Sequence, residues 1–118
     1  MADGEWLFSL NTVEENLPND PATMRFHYAL RHGTMKLGLY APPGVDTQEP
    51  HQQDELYVIV SGSGDFIKND ERRAFAQHDV IFVEAGAEHR FADFTRDFAA
   101  WVIFWGPDGG EKQIPAAP

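Results

Sequence analysis

The sequence predicts an all-β fold, a sandwich or barrel closed around one core, and three observations carry the prediction. At least seven apolar segments of strand length follow one another closely, each ended by a turn signal. Only residues 12–16 hint at helix, and a segment that short cannot hold a fold together by itself. The chain has 118 residues, 42% of them hydrophobic, which supplies the core of one domain spanning residues 1–118 and leaves too little for a second.

The elements follow in order. His27 and His32 flank a strand and a turn at Gly33, and both read as surface or packing residues. Residues 34–40 alternate, with Met35, Leu37 and Leu39 on one side and Lys36, Gly38 and Tyr40 on the other, as in a strand with one buried face. Pro42-Pro43-Gly44 ends that run. Residues 56–60, Leu-Tyr-Val-Ile-Val, are continuously apolar, rich in β-branched residues and followed by Gly62 and Gly64, which is the pattern of a strand covered on both faces. Residues 65–68 resume the strand, Asn69-Asp70 makes a turn, and residues 72–76 are the return arm of a hairpin. Residues 80–83, 89–91 and 98–105 give three more strands, separated by Ala85-Gly86 and by the polar stretch 93–97. On the last strand Trp101 and Trp105 share one face and Phe98 and Phe104 the other. The first residues and the tail 107–118, rich in Gly, Pro and Ala, are expected to be loosely ordered or to lie against a partner subunit.

Charge and composition narrow the function classes. Nineteen acidic against nine basic residues give a formal net charge of -10, which repels phosphate backbones and anionic membranes, so neither nucleic acid nor a membrane is an expected partner. No basic leader precedes an apolar stretch, and no segment approaches the ~18 apolar residues of a membrane span, so the expected location is the cytoplasm. There is no cysteine, hence no disulfide and no thiolate metal site; a bound metal would have to use imidazole, carboxylate, amide or water ligands. No Ser, His, Asp arrangement stands at a recognisable spacing, so covalent catalysis lacks support.

The chemistry-bearing stretch is Glu49-Pro-His51-Gln-Gln-Asp-Glu55, directly ahead of the apolar run. Glu49, His51 and Glu55 share odd parity, so in extended chain they point to one face and could converge on a cation. Glu49-x-His51-x3-Glu55-x6-Gly62 resembles the first motif of the cupin family, His-x-His-x3-Glu-x6-Gly, with glutamate in place of the first histidine. His78-x5-Glu84-x-Gly86-x2-His89-x3-Asp93 is similar to the second, Gly-x5-Pro-x-Gly-x2-His-x3-Asn, matching at Gly86 and His89. The resemblance runs from about residue 44 to 105, within a motif-bearing barrel of about 34–105. It implies a double-stranded β-helix, or jelly-roll, cupin barrel whose mouth holds one divalent transition metal, Fe, Mn, Ni or Zn. By position, His51, Glu55 and His89 fall on ligand positions, and Glu49 falls where the other histidine usually stands.

The residues taken alone leave alternatives open. His51 and Glu55 also read as an ordinary surface pair near a strand end. Glu49 reads as a fourth ligand, as a solvated charge, or as a general base if it does not ligate. Gln48 or Gln53 is a further candidate, as an amide-oxygen donor or a partner of bound water. His78, where the family has glycine, reads as a hairpin cap, and Arg72-Arg73 as a solvated feature. Met35, Leu37, Tyr57, Phe91 and Trp101 are candidate walls of an apolar substrate pocket, with core packing as the competing explanation for the aromatics.

Family resemblance and ligand chemistry together make the expected function that of a metal-dependent enzyme on a small organic molecule. Dioxygenase-like chemistry and Lewis-acid isomerase or lyase chemistry are both compatible. The competing class is a non-catalytic module that binds a small ligand or metal. A homodimer is expected, through exposed edge strands and the apolar N-terminal residues Trp6, Leu7, Phe8 and Leu10.

Overall fold

The computed structural model describes residues 5–46 and 48–112. One short helix, α1 (Leu10–Glu15), precedes eight strands: β1 (Phe26–His32), β2 (Met35–Tyr40), β3 (Asp54–Ser61), β4 (Gly64–Lys68), β5 (Glu71–Phe75), β6 (Val80–Val83), β7 (His89–Ala92) and β8 (Ala99–Trp105). They form two antiparallel sheets, a large one in the order β1-β2-β8-β3-β6 and a small one in the order β5-β4-β7. This is the all-β jelly-roll arrangement that the sequence leads one to expect, with the two sheets not joined edge to edge. Among the described residues no helix is long and apolar enough to cross a membrane.

The sheets face each other across one core. Tyr57, Ile59, Val83, Val102 and Phe104 from the large sheet meet Phe66, Phe75 and Phe91 from the small one, with Phe98 between them. Phe91 is the hub, with its ring 4.6–5.4 Å from those of Tyr57, Phe66, Phe75 and Phe98. The outer face of the large sheet carries a second cluster, where α1 and the chain beside it set Val13 and Leu17 against Ala29, Leu39, Ala41 and Ala99. Six residues do not make a stable helix alone, and Ser9 makes no side-chain cap, so α1 is held by this burial.

That second layer inverts one sequence expectation. On β2 it is Gly38 and Tyr40 that face the main core, while Met35, Leu37 and Leu39 point outward toward the α1 layer. Both parities are apolar because both faces are covered at the end of the strand, and alternation does not say which cover is the barrel. On β3 the odd positions 55, 57 and 59 are buried, while Leu56 and Val58 are half-exposed, so the expected two-sided cover applies only around Val60.

Local chemistry sets the turns. Asn69 and Asp70 both lie at positive φ, 48° and 71°, as the mirror-image turn of a tight hairpin requires, and they join β4 to β5. Gly62 has φ 84°, and a Cβ there would stand 2.7 Å from the Phe98 Cα, so only glycine fits between β3 and β4. Residues 107–112 are tied down, contrary to the expectation of a loose tail. Gly109 N–H donates to the Gln52 carbonyl (2.7 Å) and Glu111 N–H to Asp54 Oδ2 (2.8 Å). The remainder of that tail, 113–118, lies outside the described residues.

Candidate metal centre

Glu55 sits on the inner face of β3, two residues before Tyr57 on the same face, and is 1% exposed. His89 opens β7 in the opposite sheet, with its side chain fully covered. His51 belongs to the irregular segment ahead of β3, with its ring 5.3 Å from that of His89 and edge-on to Phe104 at 5.1 Å. Both sheets therefore contribute to one point. The segment is fixed to the loop ahead of β7, since the His51 carbonyl accepts from Gly86 N–H (2.8 Å) and the Asp54 side-chain Oδ1 accepts from Ala85 N–H (2.9 Å).

The donor atoms converge. His89 Nε2 lies 2.8 Å and His51 Nε2 3.8 Å from Glu55 Oε1, and one donor atom from each of the three residues falls within 4.8 Å of the others. His89 Nδ1 is 2.8 Å from the Ala87 carbonyl. A carbonyl only accepts, so Nδ1 carries the ring proton and a neutral ring turns a bare Nε2 toward the carboxylate. Two acceptors at 2.8 Å demand a cation, either a second ring proton or a metal ion. Among the described residues, both Glu55 oxygens and His89 Nε2 are buried without a hydrogen-bond partner, which native structures rarely tolerate. Two imidazoles and a carboxylate are an established donor set for Fe, Mn, Ni or Zn, so the residues fit a divalent transition metal.

The electrostatics distinguish the two histidines: His51 is held toward the neutral form, whereas His89 is drawn toward an imidazolium whose ring proton a metal ion would replace. Burial lowers the His51 pKa against the pull of Glu55, which keeps that ring in the neutral form a metal needs. At His89 burial also acts downward, but the contact with Glu55, the Ala87 carbonyl and the Glu55 charge outweigh it and move the pKa up. Burial, with the Glu55 charge second, lifts the Tyr57 hydroxyl well above the usual range, so it remains a donor.

Other candidate residues fall elsewhere. Glu49 is exposed and lies outside the three-donor group, because β3 begins only at Asp54 and strand parity does not extend back to 49. Gln53 is occupied away from the site, donating from Nε2 to the carbonyls of Thr34 (2.8 Å) and Gly106 (2.9 Å). Gln48 points in. Its Nε2 donates to Asp46 Oδ2 (2.7 Å), while its Oε1 accepts from the Tyr57 hydroxyl (3.0 Å) and lies 3.3 Å from His51 Nε2. Asp46, which sequence reasoning missed, is a buried carboxylate accepting also from Tyr40 OH (2.6 Å), Gln48 N–H (3.1 Å) and Phe91 N–H (2.8 Å). The Asp-x-Gln spacing, an aspartate accepting two residues on, is the local signal that could have marked it.

A cavity of about 160 Å³ opens above His51 and Glu55, walled by Met24, Phe26, Tyr28, Tyr40, Val102 and Phe104, with Gln48 and Tyr57 supplying polar atoms. Of the pocket candidates read from sequence, Tyr57 lines it and Phe91 packs behind Tyr57 (4.9 Å). Met35, Leu37 and Trp101 belong to the outer face: Met35 is exposed, and Leu37 and Trp101 pack against the α1 layer. A larger groove of about 580 Å³ runs between the β5 and β6 edges with Lys68, Glu71, Arg73 and Glu84 on its walls, but none of the three donors lines it.

Comparison with known proteins follows the same lines. The family model described as a cupin domain matches residues 37–104. An uncharacterised protein of Streptomyces coelicolor is 36% identical over 104 residues, covering 86% of this chain and 96% of that protein. Among solved structures, a Cupin 2 conserved barrel domain protein from Salinispora arenicola superposes with a TM-score of 0.66 at 20% identity, covering 88% of this chain and 91% of the other. KdgF from Halomonas sp. gives a TM-score of 0.69 at 14% identity, covering 86% and 94%. At those identities the structures establish the shared fold.

Proposed function

Because the chain belongs to the cupin domain family, we propose that it is a divalent-metal-dependent enzyme acting on a small organic molecule, with His51, Glu55 and His89 holding the ion. The observation that carries the reading is the pair of acceptors, Glu55 Oε1 and His89 Nε2, buried face to face at 2.8 Å with no other partner among the described residues. An ion held by three or four protein donors keeps positions open for substrate oxygens, and supplies oxygenase chemistry as Fe(II) or Lewis-acid isomerase and lyase chemistry as a redox-silent ion.

The chain's own residues set what enters. The cavity walls are aromatic or aliphatic apart from Tyr hydroxyls, Gln48 and the donors, and they carry no Lys or Arg. A flat, largely apolar molecule with one or two chelating oxygens fits that lining; Lys36 Nζ over the Phe104 ring (5.4 Å) and Arg31 over the Tyr28 ring (4.0 Å) stand at the wall rings but not among the lining residues, so a phosphorylated sugar is the poorer fit. Tyr57, whose hydroxyl is held in the protonated form by burial, orients the site by donating to Gln48. Glu49, exposed beside Gln48 and His89 on a neighbouring depression, is the general-base candidate for a substrate reaching that side.

The test is ligand perturbation of the Co(II)-loaded protein's visible spectrum, followed by turnover assays with the Fe(II) and Mn(II) forms. Small aromatic or enolic compounds with two adjacent oxygens are expected to shift the spectrum at micromolar to millimolar concentration, and hexose phosphates are not. Binding without turnover in any metal form would favour the non-catalytic binding module. Preference for the sugar phosphates would contradict the pocket assignment.

A further inference from the structure

Four protein donors complete the cupin-type site the family resemblance implies, and among the described residues three His and carboxylate side chains converge here. We infer that the fourth donor is the amide oxygen Oε1 of Gln48, held in place by Asp46, and not the carboxylate of Glu49. This rests on the metal-binding reading above and specifies its ligand set.

The orientation of the Gln48 amide follows from its neighbours. Asp46 Oδ2, 2.7 Å away, can only accept, so the NH2 group faces Asp46 and the oxygen faces inward. One lone pair of Oε1 receives the Tyr57 hydroxyl at 3.0 Å. The other side of Oε1 meets His51 Nε2 at 3.3 Å, the same nitrogen that faces Glu55. Once that nitrogen is bare for metal binding, Oε1 and Nε2 are two acceptors in contact, the situation already found between Glu55 and His89.

The spacing suits a shared ion. With metal–ligand distances of about 2.0–2.1 Å, neighbouring donors lie about 2.9–3.4 Å apart. The three separations in the chain Gln48 Oε1, His51 Nε2, Glu55 Oε1, His89 Nε2 are 3.3, 3.8 and 2.8 Å and bracket that range. Asp46 is what makes the arrangement rigid: it takes the Gln48 backbone N–H and side-chain NH2 together and is itself anchored by Tyr40 and the Phe91 N–H of β7. Glu49 has none of this. It is exposed and outside the group of converging donors, on a neighbouring depression that it shares with Gln48, His89 and Arg90. A neutral amide in place of a second carboxylate leaves the site with one negative charge from protein.

Mn(II) is the probe, added to the full-length protein and to Gln48→Ala, Gln48→Met and Glu49→Ala. Affinity is followed by titration and the number of coordinated waters by water-proton relaxation. Methionine keeps the side-chain volume while offering only a thioether, a poor donor to Mn(II). Both Gln48 variants are expected to bind Mn(II) about tenfold or more weakly and to gain about one coordinated water, with Glu49→Ala unchanged in both respects. The inference is overturned if Glu49→Ala produces those changes, or if the Gln48 variants lose affinity without gaining a water, which would mark Gln48 as a packing residue. Failure of the underlying reading looks different: the unaltered protein then binds no Mn(II) better than His89→Ala does.

Discussion

Asp46 shows how much at the residue scale depends on atoms that carry no motif. Its carboxylate joins the segment ahead of β3, strand β2 through Tyr40 and strand β7 through Phe91; the bonds from Tyr40 and Phe91 are buried and the two from Gln48 partly so. Removing a buried carboxylate strands those donors, so Asp46→Ala is expected to cost about 3 kcal/mol in urea unfolding. A loss below about 1 kcal/mol would contradict the network's importance. Tyr40 and Tyr57 give a pH prediction. Burial, aided at Tyr40 by Asp46 and at Tyr57 by the Glu55 charge, raises both hydroxyls above their unfolded value, so their contribution is complete below about pH 10 and is lost as pH rises beyond it. Tyrosinate absorbance from these two side chains should therefore grow in step with the loss of circular dichroism, and ionisation of all three tyrosines in a folded protein would contradict it. His51, Glu55 and His89 were legible because their spacing matches a known pattern. Gln48 was legible only as one of two amide candidates beside Gln53, and Asp46 not at all, because the segment ahead of β3 is irregular and parity arguments fail there.

Strand positions were the easiest feature to read in the sequence, and strand faces the hardest. β6 occupies the residues the apolar run marks, and β4, β5 and β7 differ from the expected spans by one or two positions. β2 presents the opposite face to the barrel from the one its alternation suggested, since α1 supplies a second apolar layer that no local pattern announces. Phe26 illustrates the consequence: its ring lies over Gly38, where any Cβ would run into it, and so reaches the cavity wall. Backbone conformation gives the test at this scale. His78 holds φ 77° in an exposed turn where the family motif has glycine, so His78→Gly is expected to stabilise the fold by about 1 kcal/mol. Gly62→Ala meets both an unfavourable φ and the Phe98 backbone, and should destabilise by about 2 kcal/mol or more. Thermal unfolding of both variants decides the matter, and a neutral Gly62→Ala would contradict the close approach of β3–β4 to Phe98.

At the scale of the whole molecule, the two sheets are the reason a site exists. β3 and β7 belong to different sheets, and the aromatic core centred on Phe91 sets the distance at which Glu55 and His89 meet. The N-terminal segment divides: Phe8 and Leu10 cover the chain's own sheet, while Trp6 and Leu7 are 84% and 68% exposed. Those two side chains are the surface on which the proposed homodimer rests. Gel filtration at micromolar concentration is expected to give a dimer mass that Leu7→Glu reduces to a monomer, and a monomer in the unaltered protein would contradict it. The central claim is the metal site, and its most direct test is elemental analysis of untagged protein beside the His89→Ala variant. About one equivalent of a divalent transition metal in the first and none in the second is the expected result. No metal in either, after anaerobic reconstitution with Fe(II), Mn(II), Ni(II) and Zn(II), would mean that the Glu55–His89 pair is an imidazolium–carboxylate bridge and that His51, Glu55 and His89 hold no ion.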